Sequence, residues 1–174
     1  SYSDSLTGND FANNIEGSQG TDRIYGLDGN DRLFGGLQPD YLYGGHGHDV
    51  LWGGSHNDYL IGGSGVDRLY GGAQSDYLYG GNGRDRLFGG SQRDLLFGEN
   101  HNDYLNGGSG ADRLYGGNHH DRIFGGRGND RLLGDDHNDR LYGDQGNDLL
   151  QGGKHNDQLY GGSGNDRLFG GLGR

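Results

Sequence analysis

Residues Gly80 to Phe88 read GGNGRDRLF, and Gly161 to Phe169 read GGSGNDRLF. Both are one nine-residue unit, G-G-x-G-x-D-x-U-x with U aliphatic, and copies of it fill almost the whole chain. Aligned on Asp22, an aspartate returns every nine residues: Asp22, Asp31, Asp40, Asp49, Asp58, Asp67, Asp76, Asp85, Asp94, Asp103, Asp112, Asp121, Asp130, Asp139, Asp148, Asp157 and Asp166. The aliphatic position keeps step with it, from Ile15, Ile24 and Leu33 through Leu87 and Ile123 to Leu168. A repeat this regular outranks the other signals, because each copy is one structural unit that buries its apolar face only by stacking on its neighbours.

Composition alone points elsewhere. Of 174 residues 42 are glycine and 29% are hydrophobic, which would describe a disordered chain were the glycines and aspartates not so evenly spaced. A formal net charge of −11, with every basic residue interleaved among carboxylates, excludes nucleic acid and makes cations the natural partners. Without cysteine there are neither disulfides nor thiolate metal sites. No segment approaches the ~20 apolar residues of a membrane span, and the first residues carry no signal-peptide pattern.

Alternation about the aliphatic position predicts a strand of three residues with one inward side chain. The six glycine-dense residues before it then reverse the chain, since glycine tolerates the positive φ of tight turns. Two units complete a coil. The fold expected is therefore all-β: a parallel β-roll, or right-handed β-solenoid, with two nine-residue units per coil. About nine coils stacked ~4.8 Å apart give a rod roughly 45 Å long. Residues 1–16 are expected to form an N-terminal cap, because the unit Gly8 to Glu16 (GNDFANNIE) puts Asn13 in the aspartate register. The roll proper spans 17–169, and 170–174 form an uncapped end. Such an end exposes strand edges, so the chain is expected either to be a piece of a longer protein or to stack end to end.

The unit resembles the nonapeptide of the RTX (repeats-in-toxin) family over residues 17 to 169 at least. That resemblance implies a parallel β-roll with calcium held between loops stacked on the same side, bound by loop carbonyls and by the repeat aspartates. It also implies export by type I secretion and folding outside the cell. The seventeen aspartates from Asp22 to Asp166 become the expected side-chain ligands. Calcium suits the chemistry independently: stacked carboxylates repel unless a cation lies between them, and Ca²⁺ accepts six to eight oxygens in flexible geometry. The chain without calcium is expected to be largely unfolded.

Loops eighteen residues apart share a side of the roll, and the fourth position of the unit sorts by side. One side reads Gly20, Gln38, His56, Gln74, Gln92, then Gly110, Gly128, Gly146, Gly164; the other reads Gly29, Gly47, Gly65, Gly83, then His101, His119, His137, His155. The strongest calcium sites are expected where both loops keep this glycine, among Asp31, Asp49, Asp67 and Asp85 and among Asp112, Asp130, Asp148 and Asp166, giving six. Six divalent ions offset the formal charge almost completely, whereas one in every gap would overshoot it. The histidine row also has the composition of a zinc or copper ladder. The plainer reading is that histidine tolerates the left-handed conformation that the glycine slot demands.

Outward positions carry aromatic and arginine rows, as in Tyr25, Phe34, Tyr43 and Trp52 and in Arg68, Arg86, Arg122 and Arg140. Such rows stabilise a thin solenoid by stacking, and a surface of this extent also fits a partner: a polysaccharide, other copies of the rod, or a neighbouring domain. No unit carries a unique polar constellation, and serine, histidine and aspartate never recur as a nucleophilic set, so catalysis is not expected. Two threonines are too few for an ice-binding row. The expected function is an extracellular, calcium-folded structural or adhesive module; the alternative is an accessory domain of a type I secreted enzyme or toxin that aids export and folding or grips an anionic polysaccharide.

Overall fold

The computed structural model describes residues 2–173, and every regular element among them is a strand. Nineteen strands form two parallel sheets. Odd-numbered strands, from Ser5–Thr7 through Arg23–Asp28 to Arg167–Leu172, make a ten-stranded sheet; even-numbered ones, from Asn14–Gln19 through Arg32–Leu37 to Gln158–Tyr160, make a nine-stranded sheet. Each strand pairs with the one eighteen residues on, as in Leu33↔Leu51 and Leu51↔Leu69, so two units close one coil of a β-solenoid about nine turns long.

The strands are longer than the three residues expected. Most run six, from the residue after the aspartate through both leading positions of the next unit, as in Arg32–Leu37, and the chain reverses in only three residues, Gln38, Pro39 and Asp40. The reason lies in the burial pattern. Inward positions alternate twice per strand, the aliphatic first and then the leading glycine of the next unit, so Leu33 and Gly35 are both buried. The core is a single file of aliphatic side chains per sheet, Ile24 through Leu150, all with no exposure. Leu6, Ile15 and Leu159 extend it at the ends. Residues ahead of the regular units also follow the repeat: Ser5–Thr7 pairs with Arg23–Tyr25, and the Asp4 N–H donates to Asp22 Oδ1 at 2.8 Å. At the other end, residues 170–172 continue the last strand, with Gly171 opposite Gly153.

Outside, the aromatic row stacks upon itself. Phe34, Trp52, Tyr70 and Phe88 follow one another at centroid distances of 4.5, 5.8 and 5.1 Å with nearly parallel planes. Where the row is interrupted by Ile61 or Asn106, the tyrosine two residues earlier on the same strand leans across: Tyr59 lies 6.5 Å from Tyr43 and 5.5 Å from Tyr79, and Tyr104 lies 5.7 Å from Phe88 and 5.3 Å from Phe124. Ring faces are thereby spent on neighbouring rings, which is the stabilising role expected of the row.

Candidate metal centres between the loops

The aspartates sit in the three-residue turns, and the fifteen from Asp22 to Asp148 are at most 3% exposed. Their placement follows from the turn. The carbonyl of each aspartate accepts the N–H of the residue that opens the strand one coil later, as Asp58 accepts from Tyr77 at 2.9 Å, and its N–H donates to the next aspartate's Oδ1, as Asp58 does to Asp76 at 2.7 Å. The same Oδ1 contact runs unbroken from Asp22 to Asp166. One carboxylate oxygen of each aspartate is therefore satisfied by backbone.

The other is not. Oδ2 of sixteen aspartates, Asp22 to Asp157, is buried without a hydrogen-bond partner. It rests over the leading glycine of its own unit: a Cβ built on Gly62 would lie 2.6 Å from Asp67 Oδ2 and 2.7 Å from the carbonyl oxygen of Gly80, one coil on. Any side chain there would displace the carboxylate, which explains why this glycine is needed although its φ is ordinary. A column of carboxylate oxygens and glycine carbonyls thus runs along each edge of the roll.

From Asp31 to Asp157, burial without a partner makes these carboxyls hard to ionise. It pushes Asp103 up to about 9 and Asp58, Asp94 and Asp121 up to about 8, well above their ordinary 3.8. The backbone N–H from the preceding coil pulls each of them down, and the flanking carboxylates add to the rise. Asp67, Asp76, Asp130 and Asp139 reach about 7, and Asp40, Asp49, Asp85 and Asp112 about 6.

Orphaned, desolvated carboxylate oxygens beside carbonyls fit a hard cation. Among the described residues no three His, Asp or Glu side chains converge, so a bound ion would draw most of its ligands from backbone carbonyls and one or two from aspartates. That donor set suits Ca²⁺ and does not suit zinc or copper.

Loops fall into two classes at the fourth position. Its glycines lie between φ +120° and +153°, whereas the glutamines and histidines lie between +73° and +83°. The glycine oxygens aim along the rod: a Cβ on Gly47, Gly65 or Gly83 would sit 1.7, 1.6 or 1.4 Å from the carbonyl oxygen of the glycine one coil before. In the other class the side chain takes over a backbone contact. His137 and His155 each accept, through Nδ1, the N–H of the histidine one coil before, at 3.3 and 3.2 Å, and the four rings stack at 5.3, 5.0 and 5.2 Å. With Nδ1 engaged in this way, His137 and His155 tie their loops to the coil before, and among the described residues the row brings no three metal-ligating side chains together.

One further position escaped the sequence reading. Fifth-position side chains form their own ladder, in which Asn129 Oδ1 accepts from the Asn147 N–H and Asn147 Oδ1 from the Asn165 N–H, at 2.7 and 2.8 Å. In the aspartate register Asn13 supplies an amide, donating to the Phe11 carbonyl and to Asn9 Oδ1, while its Oδ1 accepts the Asn9 N–H at 2.8 Å. With no preceding coil to donate to it, Asn13 is satisfied within its own loop, whereas in an interior slot an amide keeps an oxygen for the N–H of the coil before and removes the buried charge that a carboxylate carries. Asp103→Asn is accordingly expected to raise the stability of the calcium-free roll by about 1 kcal/mol or more while weakening calcium binding, both read from thermal melts with and without the ion.

The family model of the RTX calcium-binding nonapeptide repeat (4 copies) matches residues 7–42, 25–60, 34–69, 52–87, 61–96, 79–114, 97–132, 115–150 and 144–174. No curated protein matches the chain.

Proposed function

The chain belongs to the family of RTX calcium-binding nonapeptide repeats, and from that membership we propose that it is a non-catalytic module that folds on calcium outside the cell and serves as a structural or adhesive element. The observation carrying this reading is the column of sixteen buried, unpartnered Oδ2 atoms, which a cation between coils would satisfy. The repeat aspartates, Asp22 to Asp166, are the proposed side-chain ligands. The tightest sites fall between loops that both keep glycine at the fourth position; the glutamine and histidine loops bind more weakly, because their backbone is held at a lower φ and His56, His137 and His155 already bridge to the coil before through Nδ1. Secretion accords with the usual setting of such repeats, since external calcium can supply the ion only after export.

The regularity of the roll favours a structural role over a catalytic one. It supports equally a module that stands alone and one that accompanies a catalytic domain on the same polypeptide. Circular dichroism tests the central claim. In excess chelator at neutral pH the chain is expected to lose most of its β signal, and millimolar calcium to restore it. Equal β content in both conditions would overturn the reading.

A further inference from the structure

The residue after each aspartate differs between the two sheets. On the nine-stranded sheet this row contains Arg32, Arg68, Arg86, Arg122 and Arg140, in register through the strand pairings, whereas the middle of the ten-stranded sheet places Tyr41, Tyr59, Tyr77 and Leu95 there. A groove of about 860 Å³ follows the arginine row from Arg68 to Gln158, with Asp67 to Asp139 as its floor. The side chains of Arg68, Arg84, Arg86 and Arg122 line it, exposed, and their guanidinium groups make no hydrogen bond, ion pair or ring contact. Arg140 donates through Nε to Gln158 Oε1 at 3.2 Å. On the opposite sheet Arg23 and Arg167 lie instead over the rings of Tyr41 and Phe169, at 5.2 and 5.6 Å. Among the described residues the one ion pair, Lys154 with Asp136 at 2.8 Å, involves no arginine.

The floor carboxylates do not answer these guanidinium groups. Their Oδ1 atoms accept backbone N–H groups and their Oδ2 atoms face inward over glycine. With calcium between the loops, as proposed above, the groove presents only positive charge to solvent.

We propose that this groove binds a linear polyuronate, an anionic polysaccharide lying along the rod axis with its carboxylates on the arginine row. One carboxylate per sugar ring gives a charge repeat commensurate with the ~4.8 Å strand step. Guanidinium groups fit carboxylates in bidentate geometry, and Asn102, Tyr104, Asn138 and Gln158 between them supply partners for sugar hydroxyls. Nucleic acid fits poorly: among the described residues Tyr104 and His120 are the rings that line the groove, which leaves no series of stacking platforms for bases, and the chain as a whole carries −11. Individual surface pairs are weak, so affinity comes from the row acting together.

The test uses the full calcium-loaded chain and a fluorescently labelled oligomannuronate, followed by anisotropy, with dextran, dextran sulfate and single-stranded DNA in parallel. The oligomannuronate is expected to bind, to weaken with salt, and to bind about tenfold more weakly to the variant R68Q/R86Q/R122Q/R140Q, while R23Q/R113Q/R131Q on the opposite sheet changes little. The single reversal R86E should reproduce the direction of the effect. The proposal fails if the oligomannuronate does not bind, if both sets of substitutions weaken it alike, or if DNA or dextran sulfate binds more tightly. Circular dichroism of the same samples separates the two readings: a calcium-dependent β signal without binding removes the groove alone, and a β signal indifferent to calcium removes the metal reading.

Discussion

Stripped of calcium, the chain is expected to gain β structure as the pH falls from about 9 to about 5, the reverse of ordinary acid denaturation. In the folded roll burial holds the twelve repeat carboxyls from Asp40 to Asp139 at about 6 to about 9, against 3.8 in the unfolded chain. Between those limits the folded state binds more protons, so stability is complete below the unfolded value and is lost as pH rises through the folded ones. The proton supplies what the orphaned Oδ2 lacks: it cancels the buried charge of Asp58, Asp94, Asp103 and Asp121, whose values are raised the most. With calcium present the sign inverts, because protons compete with the metal for the same oxygens and acid loosens the roll. Thermal melts across a pH series, with and without calcium, should therefore give slopes of opposite sign. A calcium-free roll that grows more stable toward alkaline pH would show that these carboxylates are solvated and that no cation is needed there.

Much of this was legible in the sequence because one period fixes three things at once. Leu33, Leu51 and Leu69 must align if each is to bury its side chain, and that alignment dictates the eighteen-residue coil, the parallel pairing and the common side of every second loop. The contrast between Gly65 and Gln74 could also be read, since only glycine reaches φ +136° while glutamine accepts +76°. What stayed hidden depends on contacts between coils. Nothing in the letter D says that Asp67 Oδ1 takes the Asp49 N–H while its Oδ2 is left over Gly62, because that choice is made by the strand that continues through the glycines. Asp4 and Leu6 obey the repeat without its glycines, so a pattern built on glycine passes over them. Tyr59 and Tyr104 repair breaks in the aromatic row from a neighbouring position, a compensation visible only once Ile61 and Asn106 are seen beside them.

Gly128→Ala is expected to be among the most damaging single substitutions in the roll. Its φ of +131° lies where an L side chain is strained, and its Cβ would stand 1.4 Å from the Gly110 carbonyl oxygen. Relieving that overlap requires the two loops to part, which breaks the Gly110 N–H bond to the Arg127 carbonyl, at 2.7 Å, and a shifted Gly128 loop also strains its own N–H bond to the Gln145 carbonyl in the next gap, so that two loop gaps move at once. A cost of about 3 kcal/mol or more follows, against about 1 kcal/mol or less for Gln74→Gly, where the backbone already sits in a conformation open to both residues. Calcium stoichiometry measured by titration calorimetry adds a readout that mere destabilisation would not give. With the tightest sites confined to gaps between two glycine loops, Gly128→Ala should lower the count of tight sites from about six to about four, and Gln74→Gly should leave it unchanged. Equal loss from both substitutions would mean that the two loop classes bind calcium alike, and that the sorting of glycine from one side of the rod to the other serves backbone geometry alone.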